Sequence, residues 1–124
     1  DLTAVDNTLY FIADDGVHGD ELWKSDGTAS GTEMVKDIFE GIDISGWPNH
    51  SYPTQLTAVG TTLYFRANDG VHGEELWKSD GTAAGTVMVE DINLESDSYI
   101  TEITPLLLPW FVENDEQLVD LFIG

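Results

Sequence analysis

The stretch Asp15-Gly16-Val17-His18-Gly19-Asp20-Glu21-Leu22-Trp23-Lys24-Ser25-Asp26-Gly27-Thr28 decides how this chain is read, because it occurs twice. It returns as Asp69-Gly70-Val71-His72-Gly73-Glu74-Glu75-Leu76-Trp77-Lys78-Ser79-Asp80-Gly81-Thr82, an offset of 54 residues. Between residues 2–38 and 56–92, 29 of 37 aligned positions are identical. A repeat of this fidelity is one supersecondary unit used in series.

Working outward, each unit reads as four short antiparallel strands. In the first, residues 2–5 form one strand and Asp6-Asn7-Thr8 has turn chemistry. Leu9-Tyr10-Phe11-Ile12-Ala13 is a second strand, rich in aromatic and branched side chains. Residues 14–19 are a loop with two glycines, which take positive φ at little cost. Residues 21–25 are the third strand, 26–32 a tight connection, and 34–38 the fourth strand. The expected fold is all-β, built from antiparallel four-stranded repeats resembling β-propeller blades. Residues 1–55 hold repeat 1 with its linker, and 56–97 hold repeat 2. The linker from residue 39 to 55 contains Gly41, Gly46, Pro48 and Pro53 and is expected to be irregular.

The tail contains a fainter echo. Residues 98–104 align with 51–57, and 110–115 align with 64–69, with one small gap. Residues 98–124 thus read as a degenerate partial third repeat. A terminal amphipathic helix over 113–122 is the alternative, since Leu118, Leu121 and Phe122 fall at helical spacing.

The charge narrows the partners. There are 24 acidic and 4 basic residues, for a net charge of −20. Phosphate contacts need a basic surface, so nucleic acid is excluded as a partner. Docking on anionic lipid is disfavoured for the same reason. There is no cysteine, which removes disulfides, thiolate metal sites and a cysteine nucleophile. No apolar run reaches the roughly 20 residues that span a bilayer, so no membrane insertion is expected. The sequence opens at Asp1, at the start of a repeat and without an initiator methionine, as expected of a processed product or a piece of a longer array.

Candidate residues follow from the repeat. Asp14-Asp15-Gly16 and Asn68-Asp69-Gly70 place side-chain oxygens on glycine-bearing loops. Asp14, Asp15, Asn68 and Asp69 are therefore candidate calcium ligands, calcium taking roughly six to eight oxygens. The alternative is a pair of turn caps. Asp26-Gly27 and Asp80-Gly81 read as hairpin residues, with the Asp accepting local backbone N–H bonds and the Gly in the left-handed region. Trp23 and Trp77 are read as inter-repeat packing residues or as stacking platforms for sugars. His18 and His72 occupy one position sampled twice, a poor zinc set but suited to tying the loop to its neighbour. Asn49-His50-Ser51 is a formal glycosylation sequon at Asn49. No nucleophile elbow or phosphate loop is present. Nothing singles out a catalytic pair among the carboxylates, so the chain is read as a non-enzyme.

The cores Glu21-Leu22-Trp23-Lys24-Ser25-Asp26-Gly27-Thr28 and Glu75-Leu76-Trp77-Lys78-Ser79-Asp80-Gly81-Thr82 resemble the ELWxxDGT repeat of bacterial exported proteins. The flanking Leu-Tyr-Phe, the His-Gly just upstream, the following Gly-Thr and the closing Val-x-Asp-Ile fit as well. The resemblance covers residues 2–92 and implies a propeller-like array that is extracellular or at the cell surface of a bacterium or archaeon. The tail departs from it, lacking Glu-Leu-Trp and Asp-Gly-Thr. Two full units cannot close a propeller, which takes about four to eight blades. The leading expectation is a non-catalytic extracellular structural protein that self-assembles into a filament or ring by β-strand complementation, because bare strand edges are adhesive. The alternatives are a calcium-assisted carbohydrate-binding module, with glycans as partners, and a fragment of a large adhesin.

Overall fold

The computed structural model describes residues 1–92, which form eight strands and, among the described residues, no helix. The strands are β1 (Leu2–Val5), β2 (Thr8–Asp14), β3 (Asp20–Ser25), β4 (Thr32–Lys36), β5 (Thr54–Val59), β6 (Thr62–Asn68), β7 (Glu74–Ser79) and β8 (Val87–Glu90). They make two four-stranded sheets, ordered β1-β2-β3-β4 and β5-β6-β7-β8, with every neighbouring pair antiparallel. No closed sheet occurs among the described residues. The readings of residues 98–124 as a third repeat or a helix lie outside the described residues.

Local chemistry sets the strand ends. The β1–β2 turn needs a left-handed residue, supplied by Asp6 (φ 52) in unit 1 and Gly60 (φ 60) in unit 2. That shared requirement accounts for one of the few mismatches between repeats, since Asp and Gly are among the residues that visit this region most readily. The fourth strand runs Thr32–Lys36, earlier than the expected 34–38. The reason is chemical: the Ile38 N–H donates to the buried Glu21 carboxylate at 2.8 Å instead of joining the ladder. A register shift beside Leu22/Trp23 recurs beside Leu76/Trp77, so the bulge belongs to the repeat. The linker is not wholly irregular. Asp43 caps its tip by accepting the Ser45 and Trp47 N–H groups, and Ile42 bridges to Pro48.

Pairing assigns the faces. Leu2, Phe11, Trp23 and Met34 lie in one cross-strand row, and Ala4, Leu9, Ser25 and Thr32 lie in another on the same side. Tyr10 with Lys24, and Ile12 with Leu22 and Lys36, occupy the opposite side. The core joins the second side of unit 1 to the first side of unit 2: Val5, Tyr10, Leu22 and Val35 pack with Leu56, Leu63, Phe65 and Trp77. The two sheets therefore stack front to back with the same polarity. Burial of these apolar side chains is the main force holding the units together.

Candidate functional site

The Ser-Asp-Gly-Thr motif is consumed by its own hairpin. Asp26 Oδ1 accepts from Thr28 N at 2.9 Å and Thr28 Oγ1 at 2.6 Å, and Thr28 Oγ1 accepts from Gly31 N at 2.9 Å. Ser25 Oγ accepts from Gly27 N at 3.0 Å and meets Thr32 Oγ1 at 2.7 Å. Asp80, Thr82, Gly85, Ser79 and Thr86 repeat the pattern in unit 2. The Thr28 and Thr82 donors hold the Asp26 and Asp80 carboxyls below the usual range. Gly27 (φ 95) and Gly81 (φ 93) occupy the left-handed position.

The acidic loops are also closed on themselves. Asp15 Oδ1 accepts from Val17 N and His18 N, both at 2.8 Å, and Oδ2 lies 2.6 Å from His18 Nδ1. Asp69 repeats this with Val71 N and His72 N at 2.9 Å and His72 Nδ1 at 2.7 Å. Asp14 and Asn68 each accept the N–H of the following loop glycine. The His18 side chain lowers Asp15 to about 2, and Asp15 in turn raises His18. Burial works upward at Asp69, but the bonds from His72 and Val71 outweigh it and leave the carboxyl lowered. The histidines are thus partners of their own loop aspartates rather than ties to a neighbouring element.

Asp14 has a different set of neighbours from the one expected of it. It gathers with Asp20 and His50, each offering one ligand atom, all within 4.8 Å of one another. This trio is the set among the described residues that could hold a metal ion. His50 reaches it from the linker, where its Nδ1 accepts the Asp20 N–H at 2.8 Å and its ring stacks on Tyr52 at 4.9 Å. In unit 2 the corresponding positions are Asn68 and Glu74, and Arg66 pairs with Glu74.

Sequence reading missed the Glu21–Ser51 latch. Glu21 is fully buried, and its carboxylate accepts from Ile38 N at 2.8 Å, Ser51 Oγ at 2.8 Å and Ser51 N at 3.1 Å. Burial pushes its pKa up to about 7 against these hydrogen bonds. The Ser51 carbonyl accepts from Asn68 N at 3.0 Å, so one linker residue ties both sheets together. The repeated Glu before Leu-Trp was the available signal. Nearby, Asn49 donates its side-chain amide to Glu40 O at 3.0 Å, and its backbone crosses Gly19 so closely that a Cβ there would lie 2.2 Å from Asn49 O. The sequon serine, Ser51, is fully buried.

The two tryptophans sit in unequal surroundings. Trp77 is 6% exposed and lies in the inter-unit core, with Lys36 Nζ 6.0 Å from its ring centroid. Trp23 is only partly buried, on the side of unit 1 that unit 2 does not cover. Polar contacts frame the seam between the sheets. Lys24 Nζ donates to Gly81 O at 2.6 Å, Lys36 Nζ to Thr86 O at 3.1 Å, and Thr3 Oγ1 to Leu56 O at 3.2 Å. Two of the chain's four basic residues are thus spent on carbonyls of the next unit's hairpin. Burial, then Asp80, raises the Tyr10 hydroxyl pKa where it enters this hairpin.

The seam is a docking arrangement: one repeat presents tyrosine, leucine and two lysines, and the next receives them on its tryptophan side. Fold and seam together define a stacked antiparallel β-repeat chain. No protein-family model, no curated protein and no solved structure matches the chain.

Proposed function

We propose that the chain is a non-catalytic structural repeat protein of the cell exterior that self-assembles into a filament or ring of blade-like units. The observation that carries this reading is the front-to-back stack. Each repeat is a complete four-stranded sheet, and the second side of unit 1 packs on the first side of unit 2, so the contact joins two unlike faces. Such a heterologous contact propagates until it closes into a ring or continues as a fibre. Unit 2 does not cover the receiving side of unit 1, where Leu2 is 71% and Leu9 37% exposed. The repeated motif residues are spent on hairpins, loops and the seam, which suits a scaffold better than a reaction centre. Strand complementation, the other route to assembly, would fall at the outer strands or at residues 98–124.

Sedimentation velocity and electron microscopy on the full chain test the reading across a concentration series. Concentration-dependent oligomers or fibres are expected. A monomer at every concentration, including in salt high enough to screen the net charge of −20, would overturn it.

A second reading, a cation-assisted binding module, draws on Asp14, Asp20 and His50. Calorimetric titration with calcium chloride tests it, with Asp20→Asn as the comparison. Heat that the substitution leaves unchanged would remove this trio from the reading.

A further inference from the structure

The far side of unit 2 is buried. On β6 and β7, Tyr64 with Lys78 and Arg66 with Leu76 face away from Phe65 and Trp77, which belong to the core shared with unit 1. Unit 1 therefore does not cover them, yet Tyr64 is 2% exposed and Leu76 fully buried. Their counterparts Tyr10 and Leu22 are equally buried because unit 2 stacks on them. Tyr64 and Leu76 fall outside that inter-unit core.

A second observation comes from the latch. Glu75, like Glu21, is fully buried and accepts the N–H of the isoleucine beyond its fourth strand, here Ile92 at 3.3 Å. In unit 1 the carboxylate also accepts from Ser51, and Ser51-Tyr52-Pro53-Thr54 leads straight into β5. The chain after unit 2 repeats that passage as Ser98-Tyr99-Ile100-Thr101. Ser98 follows Ile92 by six residues, where Ser51 follows Ile38 by 13. The difference of seven matches the excursion 42–48, which closes on itself: Ile42 bridges to Pro48, and Asn49 N donates to Gly41 O at 3.1 Å. Without that excursion the two connections are equal in length. Ile38 N and Ser51 Oγ both lie 2.8 Å from one Glu21 oxygen, a gap that six residues, reaching about 20 Å when extended, span with slack.

We propose that residues 98–115 of the same chain cover the far side of unit 2 as the first two strands of a third unit, latched by Ser98 on Glu75. The inference goes beyond the self-assembly reading and stands without it. Ser98 donates to the Glu75 carboxylate as Ser51 donates to Glu21. Ile103 and Phe111 take the places of the buried Leu56 and Phe65, and so meet Tyr64 and Leu76. Pro109 and Glu113 replace Leu63 and Ala67, which narrows the apolar contact to those two side chains. Charge favours the same occupant. Arg66 and Lys78, two of the chain's four basic residues, lie on this side, and residues 93–124 carry seven acidic residues and no basic one.

The test uses the full wild-type chain, protonated at isoleucine methyls and tyrosine rings and diluted into a large excess of fully deuterated copies. Only contacts within one chain then give nuclear Overhauser effects. A contact between the Ile103 methyls and the Tyr64 ring is expected to persist on dilution. A contact seen undiluted and lost on dilution would assign the cover to a second copy and overturn the proposal, as would no contact at all. The latch is read by a double-mutant cycle of Glu75→Gln with Ser98→Ala, with Glu21→Gln and Ser51→Ala as the reference pair. Each double variant is expected to shift the urea midpoint by less than its two single shifts together. Additive shifts for Glu75 and Ser98 would overturn the latch. The Overhauser measurement needs no substitution, so it decides the docking even where a latch variant fails to fold. Neither result depends on whether copies associate, which sedimentation decides separately.

Discussion

Replacing each tryptophan of the Glu-Leu-Trp motif by alanine separates what the motif does inside the stack from what it does at the open end. Trp77 lies in the inter-unit core at 6% exposure, surrounded by side chains from both sheets. Deleting a buried Trp side chain typically costs about 3–5 kcal/mol, from lost transfer energy and the cavity left behind. Trp23 has the same strand position and the same row partners, yet no second sheet covers it among the described residues. Part of its area already faces water and its site can relax, so Trp23→Ala should cost about half as much, roughly 1.5–2.5 kcal/mol. For a domain this small the urea slope is about 1 kcal/mol per molar, so the two midpoints should differ by about 2 M. Urea unfolding followed by circular dichroism, with the chain dilute enough to be monomeric, measures both. Equal midpoint shifts for Trp23→Ala and Trp77→Ala under these conditions would refute the assignment of Trp77 to the seam.

Other measurements probe the latch, the hairpin and the seam. Glu21 has its folded pKa raised to about 7, so the stability it contributes is present below its unfolded value near 4.5 and is lost as pH rises through 7. Wild type should therefore lose about 3 kcal/mol from this group between pH 4.5 and 7. His18 and His72, raised by Asp15 and Asp69, act with the same sign from about pH 6.5 upward, and Glu21→Gln isolates the carboxyl by flattening the lower part of the profile. A Glu21→Gln profile parallel to wild type in urea midpoints would contradict the latch. Gly81→Ala should be costlier than Gly27→Ala: both carry about 1–2 kcal/mol of left-handed strain, and only the first also meets the Tyr10 hydroxyl. Tyr10→Phe should relieve part of the Gly81→Ala loss in a double-mutant cycle; strict additivity would argue against that contact. Ser79→Ala, at a buried hydroxyl bonded to Gly81 N and Thr86 Oγ1, should lower stability by about 1–2 kcal/mol. Ser25→Ala, at the half-buried counterpart, should lower it less, and the same urea titrations decide.

The strands were legible because their causes are local. Leu9-Tyr10-Phe11-Ile12 is a run of aromatic and branched side chains with turn residues on both sides, and Asp26-Gly27 names its own hairpin within a few residues. The Asp15 and Asp69 loops were legible only as alternatives, since a cap and a cation ligand use the same oxygens. The direction in which a carboxylate points is decided by φ and by neighbouring N–H groups. What stayed hidden depends on distant partners. Glu21 looks like any acidic residue until Ser51 folds over it. Lys24 looks like solvated charge until Gly81 arrives, 57 positions later, to accept from it. His50 joins Asp14 and Asp20 only because the linker doubles back across Gly19. Pattern reading sees periods of two, whereas these contacts span the repeat itself.

The polarity of the stack has a consequence for how the chain is made. Unit 1 supplies Tyr10, Lys24 and Lys36, the side chains that insert, while unit 2 supplies the recess that receives them. During synthesis the inserting half leaves the ribosome first, and domains generally fold in that order. The earlier sheet thus stands as a finished template when the later one emerges, and each new repeat needs only the one before it as a mould.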